Sequence, residues 1–149
     1  RTQELLAARR IDGAEQFFTR AYDFGFSKTT EEALSIWDKE KILSDVVWVI
    51  RKFQPDVIIT RFPPDNRAGH GHHSASAVLA REAFDAAADP NRFPEQLKFV
   101  KTWQAKRLVW NSFSPNFQNN QPEGSFIKIP FSDYCSCIGI LNLRLSIYI

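Results

Sequence analysis

The sequence is poor in the residues and runs that mark several protein classes. It contains no methionine and two cysteines, Cys135 and Cys137. One residue separates these cysteines, a spacing that is poor for a mutual disulfide and differs from the Cys-x-x-Cys pattern of metal and redox sites. No apolar run approaches the roughly 18 residues of a membrane span, and no signal peptide is visible. These features predict neither a disulfide nor a membrane span in this segment, and they leave the compartment undetermined.

The sequence also lacks a large excess of either positive or negative charge. The 19 Lys and Arg residues nearly balance the 17 Asp and Glu residues, and the net charge is +2. Acidic and basic residues alternate along the chain, so no polybasic stripe points to a nucleic acid or an anionic membrane. With 149 residues, 44% hydrophobic content and no internal repeat, the composition indicates one globular domain with a real core.

The chain begins directly in a helical pattern. Leu5, Leu6, Ala8 and Ile11 lie close to a period of 3.6 residues, and no initiator methionine precedes them. A domain rarely begins inside a helix without a capping residue. We therefore expect an internal fragment, so that any signal peptide or preceding strand lies outside this sequence.

Apolar periodicity and turn residues predict alternating helices and strands. The predicted helices cover residues 2–14, 29–53 with a break near Asp38, and about 74–88. The predicted strands lie within residues 17–26, 56–60, 105–113 and 125–131. The run Val57-Ile58-Ile59 is continuous and apolar, as in a parallel strand that is buried on both faces. This order is typical of an α/β fold with a parallel sheet.

All three histidines follow the predicted strand 56–60, where an α/β sheet places its ligands. His70 and His73 are three residues apart and can face one cavity if a helix begins between them. His72 is adjacent to His73 and cannot easily point the same way, so at most two of the three share a site. Gly69 and Gly71 permit a positive φ and a close backbone approach.

The spacing alone leaves two interpretations of this segment open. A catalytic zinc ion normally has three protein ligands and a water, and two histidines do not complete that set. The alternative is a solvated polar loop at the start of a helix. Asp65 is either a further ligand or a turn residue. Arg61 either binds substrate or pairs with Asp56 or Asp65.

A family resemblance favours the first interpretation. The segment "PDVIITRFPPDNRAGHGHHSASAVLAREAF" resembles a block of the PIG-L/LmbE-like zinc-dependent N-deacetylases: a strand, a proline-rich loop, His-x-x-His and a helix of small residues. "RTQELLAARRIDG" is similar to the family's Arg-x-x-Glu helix, and "AYDFGF" resembles its aspartate-bearing stretch. The resemblance covers residues 1–134, a partial deacetylase domain. Residues 135–149 form an atypical apolar tail that we expect to be truncated or frame-shifted.

The resemblance implies roles for individual residues. His73 becomes a zinc ligand, and His70 stabilises the oxyanion or protonates the leaving amine. Arg1 and Asp23 become candidate substrate contacts, together with Arg61. The implied fold is Rossmann-like, with three layers, a mainly parallel sheet and a missing first strand.

The implied reaction is the attack of a zinc-bound water on the N-acetyl group of an N-acetylglucosamine-type amino sugar or glycoconjugate. Zn²⁺ is the implied cofactor. A non-catalytic sugar-binding or interaction module, with a polar histidine loop, is the alternative. The sequence does not indicate an oligomeric state.

Besides the atypical tail, two features depart from the family pattern. The His-Pro-Asp-Asp-Glu motif, which carries the family's other metal ligands and its general base, is absent and is expected before Arg1. His72 occupies the position where relatives usually have an aspartate. We therefore expect the isolated chain to bind zinc weakly and to be inactive.

Overall fold

A computed structural model describes residues 2–111, which form four α-helices, two β-strands and two short 3-10 helices. In chain order these are α1 (Thr2–Asp12), α2 (Thr30–Ile36), α3 (Lys39–Phe53), β1 (Val57–Thr60), a 3-10 helix (Asn66–Ala68), α4 (Gly71–Ala86), a 3-10 helix (Pro94–Lys98) and β2 (Arg107–Trp110). No helix in this part of the chain is long and apolar enough to cross a bilayer. Arg1, the predicted strand 125–131 and the tail 135–149 lie outside the described residues.

The predicted break between α2 and α3 is confirmed, and side-chain caps explain its position. The Thr29 hydroxyl accepts a hydrogen bond from the backbone N–H of Glu32 at 3.1 Å and so caps α2. The Asp38 carboxylate accepts from the N–H of Lys41 at 3.2 Å and caps α3. The last turn of α3 closes on Gln54, which has a left-handed φ of 56°. The following proline disfavours a further helical residue there.

The core lies between α3 and α4, with α2 packed against α4. The buried face of α3 is formed by branched apolar side chains, and α4 contributes mainly alanines, whose small side chains let the two helices approach closely. The buried apolar residues of these two helices are Ile42, Leu43, Val46, Val47, Val49, Ile50, Ala75, Ala77, Leu79, Ala80, Ala83 and Ala86. Because α4 begins at the histidine segment, this packing fixes where the histidines lie.

The two strands form a small parallel sheet. Val57 is paired with Arg107, and Thr60 with Trp110. The predicted α/β class and parallel pairing are therefore confirmed. Within residues 2–111 only Ile58 of β1 is fully buried and its neighbours are half-buried, so the predicted burial on both faces is not reached.

The strand predicted within residues 17–26 is wrong, because this segment has no regular structure. Asp23 accepts a hydrogen bond from the N–H of Gly25 at 3.0 Å, and Gly25 has a φ of 93°, so the chain turns there. The aromatic side chains pack individually instead of alternating across a sheet. Phe17, for example, contacts Phe53 edge to face at 6.1 Å.

Arg51 is a buried cation that the sequence pattern does not predict. Its side chain is on the inner face of α3, and the residue is 1% exposed. The guanidinium donates hydrogen bonds of 2.8–3.2 Å to the carbonyl oxygens of Ala86, Ala87, Asp89, Arg92 and Phe93, and to the side chain of Gln96. Burial lowers the pKa of this guanidinium from its usual value. Arg51 thereby satisfies the last carbonyls of α4 and holds the loop that leads towards β2.

Candidate active site

His70 and His73 lie together at the start of α4, on the segment that follows the carboxyl end of β1. His70 immediately precedes the helix in an extended conformation, and His73 is in its first turn. Their ring centroids are 5.0 Å apart, and the ring planes are nearly perpendicular at 83°. Within residues 2–111 no hydrogen bond engages the His70 ring, which is exposed. The two residues that the spacing predicts to share a site are therefore neighbours.

The His73 ring is held on one edge and one face. Its Nδ1 lies 3.0 Å from the carbonyl oxygen of Ala68. A carbonyl can only accept, so Nδ1 carries a hydrogen, and in the neutral tautomer with this hydrogen bond the lone pair is on Nε2. The Phe62 ring stacks on the imidazole at 3.7 Å with an interplanar angle of 2°. A metal-binding histidine is typically oriented in this way, by donating its other ring nitrogen to a carbonyl.

His72 makes its contacts elsewhere. Its Nδ1 is 2.6 Å from the Ser27 hydroxyl, which also accepts from the His72 backbone N–H at 3.0 Å. The imidazole packs against Phe24 at 4.4 Å and Trp37 at 5.1 Å between centroids. Its Nε2 is buried and has no hydrogen-bond partner among residues 2–111. The His72 side chain therefore attaches α4 to the preceding loop.

That loop, residues 22–27, is called the aromatic loop below, and it is in tight contact with the start of α4. The N–H of Gly71 donates to the carbonyl of Ser27 at 3.0 Å. A Cβ at position 71 would lie 2.6 Å from the Ser27 hydroxyl and 2.7 Å from the carbonyl carbon of Thr29, well inside contact distance. Gly69 adopts a φ of 82°, which favours glycine. The two glycines thus serve the two purposes that the sequence suggested, a positive φ and a close approach.

The aromatic loop brings one further side chain, Phe26, beside the histidines and also carries Asp23. Phe26 lies with its ring 5.1 Å from that of His70, at an interplanar angle of 87°, and is 66% exposed. Asp23, a predicted substrate contact, is exposed on the same loop. Its Oδ1 accepts from Gly25, and a carboxylate has further acceptor positions available.

The structure shows that Arg61 pairs with neither Asp56 nor Asp65. Asp56 pairs with Lys106 at 3.0 Å, and Asp65 pairs with Arg67 at 2.7 Å, so neither carboxylate engages Arg61. The Arg61 guanidinium lies 5.8 Å from the centroid of the Phe62 ring, which stacks on His73.

Asp65 behaves as a turn residue. It accepts from the Arg67 N–H at 2.9 Å and caps the 3-10 helix. Its hydrogen bonds with Arg67 lower the pKa of the Asp65 carboxyl. This carboxylate is occupied locally and is not placed in a ligand group. Arg1, the other predicted substrate contact, lies outside the described residues.

Among the described side chains, the His73 ring fits one ligand position of a metal ion. His73 offers an oriented Nε2, as a zinc ligand should. Residues 2–111 contain no group of three or more His, Cys, Asp or Glu side chains that could hold a metal. The described residues therefore do not form a complete metal-ligand group by themselves.

Sequence reasoning missed Phe26, Phe62 and Ser27 as parts of this site. A signal existed for Phe62, because it lies two residues after the end of the strand that leads to the histidines. Nothing in the local pattern marks Ser27, whose partner His72 is 45 residues away.

Comparison with known proteins identifies the family. Residues 1–84 match the family described as PIG-L: GlcNAc-PI de-N-acetylase. The chain is 28% identical over 119 residues to a mycothiol S-conjugate amidase of Streptomyces coelicolor, an alignment that covers 74% of this chain and 39% of that protein. It is 30% identical over 84 residues to a 1D-myo-inositol 2-acetamido-2-deoxy-alpha-D-glucopyranoside deacetylase of Geodermatophilus obscurus, covering 54% of this chain and 26% of that protein.

A deacetylase of the same name from Streptomyces avermitilis is 31% identical over 74 residues, or 50% of this chain and 24% of that protein. The chain thus matches less than two fifths of the length of these relatives. No solved structure matches it. The family match covers more than half of the chain, includes all three histidines and agrees with the sequence resemblance: the chain belongs to the PIG-L family.

Proposed function

We propose that this chain is part of a zinc-dependent hydrolase that removes an N-acetyl or other N-acyl group from an N-acetylglucosamine-type amino sugar. The observation that carries the proposal is the His70–His73 pair, with its oriented and available Nε2, on the segment after β1. The names of the relatives support it, because one is an amidase and the others are deacetylases of an acetamido sugar. Small amino-sugar conjugates are accordingly the proposed substrate class.

The roles follow from the two imidazoles. His73 would hold the zinc ion, which when bound would polarise the amide carbonyl and lower the pKa of a water. The His70 ring lies 5.0 Å from the His73 ring, measured between centroids. His70 donates a hydrogen bond to the amide oxygen as it becomes negative, or a proton to the departing amine. In the overall reaction the C–N amide bond breaks, a C–O bond to the water oxygen forms, and the amine gains a proton.

The remaining parts of the proposal concern residues around this pair. We propose Asp23, Arg61 and Arg1 as substrate contacts, with Asp23 supported by its place on the loop beside His70. The other metal ligands come from residues other than 2–111, in a larger Rossmann-like sheet of three layers. Taken alone, the chain of 149 residues binds zinc weakly and does not turn over.

A zinc titration by calorimetry tests the ligand assignment. The unaltered chain should bind with low affinity, and His73→Ala should weaken that binding by at least about tenfold. The matched control is His70→Ala, which removes the neighbouring imidazole and should change the affinity much less. Equal losses in both variants, or no loss in His73→Ala, would contradict the assignment. Stoichiometric submicromolar binding by the unaltered chain would contradict the weak-binding proposal.

One observation keeps a non-catalytic sugar-binding module as a second candidate: residues 2–111 lack a complete metal-ligand group. The native gene product distinguishes the two candidates. Zinc-dependent release of acetate from an N-acetylglucosaminide supports the enzyme. Sugar binding without any acetate release, in a protein saturated with zinc, supports the module.

A further inference from the structure

Phe26 is an exposed aromatic side chain in contact with the ring that we assign to catalysis. It is 66% exposed, and its ring lies 5.1 Å from that of His70. We propose that Phe26 is a substrate contact that stacks on the C–H face of the amino-sugar ring while His70 addresses the amide. This inference rests on the proposed function and adds to it a specificity-determining residue.

The backbone that carries Phe26 is held in place. The next residue, Ser27, is fully buried and bonds to the backbone of Gly71 and His72 as well as to the His72 ring. Two residues earlier, Phe24 packs against His72. Phe26 therefore projects from an anchored segment, and its apolar ring is available without a rearrangement of the backbone. Such preorganisation lowers the cost of binding.

The neighbours of Phe26 favour a sugar ring as the occupant. A pyranose presents C–H groups on its faces and hydroxyls at its rim, so an aromatic face and a carboxylate together match it. Phe26 supplies the aromatic face, and Asp23, three residues earlier, supplies the carboxylate. Contact with His70 places Phe26 within reach of a sugar ring whose amide lies at His70. An N-acetyl methyl group alone would cover only a small part of the exposed aromatic ring.

Phe99 provides a matched control. It is also highly exposed, at 77%, but it contacts Trp48 of α3 at 6.1 Å and neither His70 nor His73. A general effect of removing an exposed phenylalanine would therefore appear at both positions. Loss of a substrate contact would weaken sugar binding only when Phe26 is replaced.

The test uses the 149-residue chain and methyl N-acetyl-β-D-glucosaminide as the probe, with affinity measured by NMR titration. Phe26→Leu, which keeps an apolar side chain but removes the aromatic face, should weaken binding about fivefold. Phe26→Trp should keep the affinity, and Phe99→Leu should not change it. Nuclear Overhauser contacts should connect phenylalanine ring protons with pyranose protons, and these contacts should be lost in Phe26→Leu. Circular dichroism confirms that each variant is folded.

Each outcome decides the proposal. Loss of affinity in Phe26→Leu with retention in Phe26→Trp, together with the pyranose contacts, supports it. Contacts to the acetyl methyl alone would overturn it in favour of acyl recognition. Unchanged affinity in Phe26→Leu would overturn the role of Phe26 and leave the proposed function intact. No binding by the unaltered chain would overturn the role of Phe26, whereas the proposed function is decided separately by acetate release from the native gene product.

Discussion

Replacement of Arg51 by leucine should strongly destabilise the fold. Arg51 is 1% exposed and donates hydrogen bonds to five carbonyl oxygens and the Gln96 side chain. Each buried acceptor left without a partner costs about 1–3 kcal/mol. The sum over all acceptors is an upper bound, because some carbonyls will be rehydrated and the leucine no longer has a charge to desolvate. If two of the acceptors stay buried without a partner, the loss is about 2–6 kcal/mol, and we expect a value in that range.

Urea unfolding followed by circular dichroism measures this change. Arg51→Lys should give a smaller but still clear loss, since an ammonium keeps the charge and offers three donors instead of five. The matched control is Arg81→Leu in α4, an exposed arginine outside this network, which should change the free energy of unfolding by less than about 0.5 kcal/mol. A loss below about 1 kcal/mol in Arg51→Leu would refute the argument that these hydrogen bonds hold the α4 end and its loop.

Two other substitutions test local features. Gly71→Ala should destabilise the fold by about 1–3 kcal/mol, although alanine favours helices, because the new Cβ would overlap the Thr29 backbone; equal or higher thermal stability would contradict that close contact. The pKa of the Asp38 carboxyl is lowered from 3.8, first by its side-chain hydrogen bond to Lys41. The ionised carboxylate therefore stabilises the fold above about pH 4, and this contribution is lost as the pH falls through the lowered pKa. Asp38→Asn keeps a capping oxygen and should make the free energy of unfolding less dependent on pH in this acidic range; an unchanged acid profile from urea titrations would argue against it.

The features that the sequence predicted well depend on local chemistry. The break near Asp38 and the starts of α2 and α3 follow from capping side chains within three residues of their partners. The pairing of His70 with His73 follows from helical spacing, once the strand and the glycines place the helix start between them. The parallel order of β1 and β2 follows from the alternation of strands and helices. These signals need no knowledge of distant residues.

The features that it did not predict depend on distant contacts. Arg51 lies in the last turn of an amphipathic helix, where a basic residue usually faces solvent, and its partners are 35 to 45 residues further along the chain. The segment 17–26 has the composition of a strand, but the turn at Asp23 and separate side-chain contacts prevent one. The available nitrogen of His73 is identified only by the Ala68 carbonyl, a contact that spacing does not reveal.

The junction between Ser27 and the start of α4 has a consequence for how the histidines can be studied. A synthetic peptide of residues 61–84 would contain all three imidazoles, yet it would lack Ser27, Phe24 and Trp37, which hold His72. It would also lack the helices that fix the axis of α4. The arrangement of the histidines is therefore a property of the assembled domain, and transplanting this stretch into another scaffold would transfer the residues without their geometry.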